Sequence, residues 1–285
     1  MNIKPLAFES MGTRGMATSV VTRDCILLID PGVNLASRRY GLPPHTMEEE
    51  RRRDHWAKIK DYAEHSDILI LTHYHFDHFN PEEPEIYRDK TVILKDPKNK
   101  INRTQRVRAQ QFLKKLKGLP GEILIADNGE FTFGETRIRF SPPISHGESP
   151  KLGYVVQVCV QEGDQRFLHT SDIQGPATEE QVDFVVQQNA QVVFCDGPVT
   201  YMLGRRYSIG SLRRAIGYLT QIVSQTDVQK LVLDHHLLRE LSWKSRLREV
   251  FSAAKERGVE VMTAAEFAGI NDDLLEARRR VLYGR

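Results

Sequence analysis

One stretch restricts this chain more than any other: Ile68-Leu69-Ile70-Leu71-Thr72-His73-Tyr74-His75-Phe76-Asp77-His78-Phe79. Four consecutive apolar residues, with charge before them and the turn residues Asn80-Pro81 after the histidines, read as a short, fully buried strand. Three histidines and an aspartate follow within six positions. His73, His75 and His78 suit zinc or a similar divalent metal, and Asp77 adds a hard carboxylate. A single histidine on an apolar strand is ordinarily a satisfied core residue. Three of them with an aspartate at a strand tip serve no packing need and would repel one another once protonated, so the pattern reads as a metal site.

Composition narrows the rest. A length of 285 residues fits one large or two small domains. The chain is 40% hydrophobic and 27% charged, which is ordinary for a globular protein. Its net charge of +2 makes it no polycation, so any anion or nucleic-acid binding falls to local patches. Cys25, Cys159 and Cys195 are scattered and lack CxxC spacing; reduced core thiols in a cytoplasmic protein are expected rather than a disulfide framework. Met1 to Pro5 carries no apolar signal segment and no run approaches membrane-spanning length, so no membrane partner is expected.

Strands are expected within residues 2–9 and 16–30. Thr46-Met47-Glu48-Glu49 fits a capping box, opening a helix with Trp56, Ile59 and Ala63 inward and Arg51 to Arg53 outward. His45, His55 and His65 read as surface or helix-end residues. A strand at 92–94 leads into a one-sided stretch, residues 95–117, with nine basic residues against Asp96 alone. Val107, Phe112, Leu113 and Leu116 give it an apolar face, so it reads as a basic amphipathic helix near the active-site side. Most of its charges are individually a solvated face; the excess still hints at an anionic partner. Without interleaved exposed aromatics it is a weak nucleic-acid surface. Further strands are expected at 123–125, 130–133, 136–140, 151–160, 165–169 and 192–195, with a last buried strand at 230–234. Helices are expected at 178–188, 209–223, 240–257, 263–268 and 271–282, with Arg278 to Arg280 as a solubilising helix end. The loop 200–207 carries Tyr201, Arg205 and Arg206, which can reach a substrate. Strands alternating with helices, and hairpins between them, suit two mixed sheets face to face with helices outside.

The motif His73-x-His75-x-Asp77-His78 after a hydrophobic strand resembles the signature of the metallo-β-lactamase superfamily of metal-dependent hydrolases. The longer wording of the chain is similar to a largely archaeal branch of predicted metal-dependent hydrolases. The resemblance implies one domain over residues 1–285, an α/β (α+β) four-layer αββα sandwich. It also implies a ligand set: His73, His75 and His146 for one ion, and Asp77, His78 and His235 (or His236) for a second. Asp172, at a strand end, would bridge them. Consecutive residues leaving a strand point to opposite sides, which favours one of the two histidines; His235 is the first past Asp234. Asp30, before Pro31-Gly32, and Asp196, also at a strand end, would support the ligands through hydrogen bonds. His169 belongs to the core or to the same support.

From this follow two divalent ions, zinc by default with iron or manganese as alternatives. They would supply hydroxide from a shared water near neutral pH and polarise a scissile carbonyl or phosphoryl oxygen. Asp172 and Asp77 are the catalytic carboxylates in this reading. The expected function is hydrolysis of a small molecule, anionic or phosphorylated. A nuclease or phosphodiesterase acting on nucleic acid, with steep salt dependence, and a non-hydrolytic di-iron protein are the alternatives.

Overall fold

In a computed structural model describing residues 1–285, the run Ile68–Leu71 is a strand buried on both faces. Its alternation generates the layers. Ile68 and Ile70 face a core between two sheets, whereas Leu69 and Leu71 face a core beneath helices. In chain order the elements are β1 (Asn2–Phe8), β2 (Met16–Val21), β3 (Ile26–Ile29), α1 (Thr46–Glu64), β4 (Ile68–Leu71), β5 (Thr91–Leu94), α2 (Arg103–Leu116) and β6 (Glu122–Ile125). There follow β7 (Glu130–Phe133), β8 (Thr136–Phe140), β9 (Ile144–Ser145), β10 (Tyr154–Val155), β11 (Val158–Glu162), β12 (Gln165–His169), α3 (Glu179–Gln188) and β13 (Val192–Asp196). The chain continues through α4 (Ile209–Gln225), β14 (Lys230–Asp234), α5 (Trp243–Arg246), α6 (Arg248–Arg257), β15 (Glu260–Met262), α7 (Ala264–Phe267) and α8 (Arg279–Leu282).

The first sheet has the order β1-β2-β3-β4-β5-β6, antiparallel up to β3 and parallel from β3 to β6. The second has the order β15-β14-β13-β12-β11-β8-β7, parallel from β12 to β15 and antiparallel beyond. Both are mixed, and their inner faces meet: Val20, Ile29 and Ile70 share one core with Ile138, Val160, Phe194 and Val232. Helices α1 and α2 cover the first sheet through Ile59, Ala63, Ala109 and Phe112. Helices α3, α4 and α6 cover the second through Val182, Leu219, Val223 and Val250. The expected four-layer αββα arrangement is therefore observed. No helix is long and apolar enough to cross a membrane.

Several local expectations need correction. Helix α1 is capped by His45 rather than Thr46; the His45 N–H donates to the Glu48 carboxylate at 2.9 Å. His55 is buried, not superficial. It shares a helix face with Ile59 and Ala63, four and eight residues on, and its Nδ1 lies 2.6 Å from Thr13 Oγ1. In α2 the buried stripe is Gln105, Ala109, Phe112 and Leu116, which leaves Val107 exposed. Strand β11 begins only at Val158, because Tyr154–Val155 pairs with β9 instead. Lys230–Asp234 is not the last strand: β15 adds a parallel edge beside it.

The C-terminal helix shrinks to α8, because the residues before it are held by long-range contacts. Glu276 takes two bonds from the Arg14 guanidinium, and the Asp273 N–H donates to Ser10 O. Arg279 is no solubilising end. It is fully buried, paired in fork fashion with the buried Glu48, and also donates to the Ala36 and Leu42 carbonyls.

Arg279→Ala leaves Glu48 buried without its partner and is expected to cost about 3–5 kcal/mol, read as a lowered denaturant midpoint at unchanged slope. His55 generates a second outcome. Burial, with Arg51 and Lys58 adding to it, pushes its imidazole down from 6.5 to about 3. Between those values the unfolded chain binds a proton that the native state excludes, so stability is intact above pH 6.5 and falls as pH drops toward 3. His55→Gln is expected to lose less stability than the wild type over that acid range; parallel pH–stability curves would contradict this.

Candidate metal centre

The site forms where parallel strands of both sheets end. Asp30 follows β3 and ties that end to β4: its carboxylate accepts from Thr72 N–H at 2.8 Å and from Thr72 Oγ1 at 2.6 Å. The same carboxylate lies 2.7 Å from His78 Nδ1. That bond leaves His78 Nε2 pointing away from Asp30. Gly32 is required here, since a Cβ at this position would sit 2.2 Å from the Phe79 nitrogen. The turn after β3 thus packs directly on the backbone of the histidine motif.

Asp172 is the centre of the cluster. Its Oδ2 lies 2.7 Å from His146 Nε2, 3.8 Å from His73 Nε2 and 3.8 Å from His75 Nδ1. The same oxygen lies 3.8 Å from His78 Nε2 and 3.6 Å from His235 Nε2, and Asp77 Oδ2 is 3.7 Å from that His235 atom. Two compact groups result, His73–His75–His146–Asp172 and Asp77–His78–Asp172–His235, each with donor atoms within 4.8 Å of one another. Zinc ligands at about 2.0–2.1 Å in a tetrahedron stand about 3.3 Å apart, so both groups have the dimensions of an ion's coordination sphere. His73 and His78 each keep a buried Nε2 with no hydrogen-bond partner, and His146 Nδ1 is unpartnered as well. Buried polar atoms left so are costly unless something else binds them.

The surrounding residues hold the rings in place. Thr72 Oγ1 and Ser171 Oγ lie 3.2 and 3.3 Å from His73 Nδ1. His169 donates from Nε2 to Met16 O and accepts the Ser171 N–H at Nδ1, bracing the turn that carries Asp172. Asp196 accepts from His236 N–H and lies 3.0 Å from its Nδ1. His236 also lies 3.2 Å from Asp172 Oδ1, so both consecutive histidines turn toward Asp172. Strand alternation does not apply, because His235 has φ +58° and opens a 3-10 turn. Asp30, Ser171 and Gln174 also adopt positive φ. Such conformations cluster where a surrounding structure imposes them, often at functional sites.

The charges in the cluster are mutually dependent: burial, joined by Arg239 at His235, opposes charge on His78 and His235, yet Asp30 raises the first and Asp172 and Glu9 raise the second. Asp172 is held well below the carboxylate range; burial opposes its charge, but His146 and His236 outweigh burial. Asp77 is lowered in the same way by His78 and His235 against burial. Burial keeps His73 and His75 below their usual value, in the neutral form that can ligate. Burial and Arg239 oppose charge on His236, yet Asp196 and Asp172 raise it to about 9.

The structure thus brings His73, His75, Asp77, His78, His146, Asp172, His235 and His236 together, with Asp30 and Asp196 behind them. Sequence reasoning missed Glu9 and Arg239. Glu9 Oε2 is 3.2 Å from His235 Nδ1; Arg239 binds Glu9 at 2.5 Å and places Nη2 3.3 Å from His235 Nε2. The only sequence signal was a charged pair flanking elements already in view. Tyr201 and Arg206 line a cavity beside His146, and Arg205 does not. The basic stretch disperses: Lys95 is buried against Asp127, Lys115 pairs with Glu82, and Arg108 donates to Tyr74 O and lies over the Phe76 ring.

The chain is 48% identical to a UPF0282 protein of Korarchaeum cryptofilum, over 99% of this chain and 94% of the relative. It is 44% identical to a UPF0282 protein of Metallosphaera sedula, over 100% of this chain and 93% of the relative. No family model matches. Among solved structures, the metallo-β-lactamase fold protein YhfI from Bacillus subtilis aligns at 15% identity and TM-score 0.55, over 92% of this chain and 95% of that one. An isothiocyanate hydrolase from Delia radicum gut bacteria aligns at 15% identity and TM-score 0.53, over 88% and 94%. Zn²⁺-bound PqqB from Methylobacterium extorquens aligns at 11% identity and TM-score 0.51, over 92% and 98%. These likenesses show a metallo-β-lactamase fold.

The Asp30 contacts generate a direct test of the cluster. Asp30→Asn keeps the shape but weakens the hold on His78, and is expected to reduce zinc affinity about 10–100-fold in equilibrium dialysis. Unchanged affinity would mean that His78 takes no part.

Proposed function

The chain belongs to the UPF0282 protein family, and from its site we propose that it is a metal-dependent hydrolase with two divalent cations around Asp172. One observation carries this reading: His73, His78 and His146 converge on a single carboxylate, the first two with buried Nε2 atoms that have no hydrogen-bond partner. Bound cations would satisfy them together. His73, His75 and His146 would hold the first ion and Asp77, His78 and His235 the second, with Asp172 common to both. Nitrogen and carboxylate donors of this kind suit zinc, and iron or manganese as well. A fold neighbour bears zinc and another is named a hydrolase, which agrees with this assignment. Three buried, free cysteines fit a reducing cytoplasm. We take residues 1–285 as one domain.

When bound, such ions supply Lewis acidity, polarising a carbonyl or phosphoryl oxygen and acidifying water. The chain's own residues do the positioning. Asp30 and the Thr72–Ser171 pair fix the His78 and His73 rings so that each Nε2 faces inward. His169 braces Ser171 and through it Asp172. Asp196 anchors His236, whose Nδ1 keeps its proton between two carboxylates. Asp77, 17% exposed, and His75, 21% exposed, stand at the open side, where a substrate can approach. Arg239 makes the two ion positions unequal, because its guanidinium lies against the His235 atom that would ligate.

Elemental analysis of protein purified without added metal tests the reading. Close to two equivalents of zinc are expected, the second more easily removed by dialysis, with a marked loss in Asp172→Ala and with hydrolysis of some member of an ester and phosphodiester panel. Two equivalents of iron without hydrolysis would replace this reading by a redox one. One equivalent or none, indifferent to Asp172→Ala, would refute the shared carboxylate.

A further inference from the structure

Beside His146 the surface opens into a cavity of about 550 Å³, a volume suited to a small molecule. Its lining is chemically divided. Leu152, Val199 and Met202 form an apolar wall. Lys151 and Arg206 stand at the exposed rim, and neither charged group has an acidic partner. Glu148, the one acidic lining residue, is occupied by Arg214. Deeper in, Tyr207 is only 6% exposed, and its hydroxyl is buried without a hydrogen-bond partner. Burial raises the pKa of that phenol, so it remains an O–H donor. Two free cations, a tyrosine with an unused buried hydroxyl and a histidine of the metal cluster line this one cavity.

We propose that this cavity is the substrate subsite and that it takes a small organic anion: a carboxylate or phosphate end held by Lys151 and Arg206, a polar atom meeting the Tyr207 hydroxyl, and an apolar body against Leu152, Val199 and Met202. The inference rests on the hydrolase reading of the neighbouring cluster, which the scissile group reaches at His146. Charge selects the anion, because the cavity offers two unpaired positive groups and no unpaired negative one. Size selects a small molecule over a polymer. A nucleic acid needs a continuous cationic track for its phosphates, and the cavity itself is lined by only two cationic side chains, Lys151 and Arg206.

Calorimetric titration of the metal-containing protein separates this proposal from the reading beneath it. The probes are 4-phenylbutyrate, phenylphosphonate and the neutral 4-phenylbutyramide. At least one anion is expected to bind about ten-fold more tightly than the amide, the scale of one charge-assisted contact; which anion does so distinguishes carboxylate from phosphate recognition. The double variant Lys151→Ala/Arg206→Ala is expected to erase that preference with metal content unchanged. Tyr207→Phe is expected to weaken the preferred anion several-fold, also with metal content unchanged. Asp172→Ala is expected to lose metal yet retain the anion preference, so the subsite and the metal assignment fail separately. Equal affinity for anion and amide, or no binding, overturns the subsite. Anion binding that survives the double variant and disappears with Asp172→Ala overturns it too, since the anion would then sit on the ions. Displacement of the probes by an oligonucleotide, with steep salt dependence, would overturn the small-molecule assignment.

Discussion

Buried imidazoles crowded around one carboxylate cannot satisfy one another. Asp172 has a single side chain, and six histidines approach it within 3.8 Å, five at Oδ2 and His236 at Oδ1. Rings this close repel when charged and leave donors and acceptors unmatched when neutral. The fold nevertheless places them there, on backbone that adopts positive φ at Asp30, Ser171 and His235. A chain carries such frustration only where it is relieved, and bound cations, as proposed, would relieve it. The layered architecture supports the arrangement: two parallel strand sets, whose central strands β4, β13 and β14 are buried on both faces, hold the strand ends that carry the rings.

Rigidity comes from few links. Asp30 alone joins the ends of β3 and β4 and orients His78. Ser171 reaches from the second sheet to Thr72 in the first, at 2.5 Å, and so closes the gap between sheets immediately beneath the ions' positions. His169, held to the Met16 carbonyl from β2, makes a second inter-sheet link. The dry core between the sheets supplies cohesion, and these three polar links convert it into a fixed geometry.

Legibility in the sequence followed distance along the chain. The histidine motif and its strand were readable because six neighbouring positions carry the whole signal. The alternation of strands with helices, with hairpins between, made the layers readable too. His146, Asp172 and His235 stand singly at strand ends, and only a family resemblance picked them from other histidines and aspartates. Glu9 and Arg239 gave no sign of their pairing, since they meet across 230 residues. Strand alternation ranks His236 behind His235 as the alternative ligand, and that ranking fails because the backbone turns left-handed at His235. Arg279 was read as surface because an arginine in a basic run ordinarily is; its partner Glu48 lies 231 positions away, masked as a capping residue.

The same hidden charges shape the chemistry. Arg239 bonds Glu9, Arg14 bonds Glu276, and Arg39 donates to the Arg239 carbonyl and lies 3.9 Å from Glu276. Three guanidinium groups face two carboxylates, so this buried network carries an excess positive charge behind His235. It draws the irregular segment before α8 onto the site, which explains why those residues give up helix. That charge lies on the His235 side of the cluster, where Arg239 meets His235 Nε2, whereas the cavity opens beside His146. Under the proposed assignment the two sides would therefore differ, and a substrate that brings its own negative charge would meet the two unpaired cations at the rim.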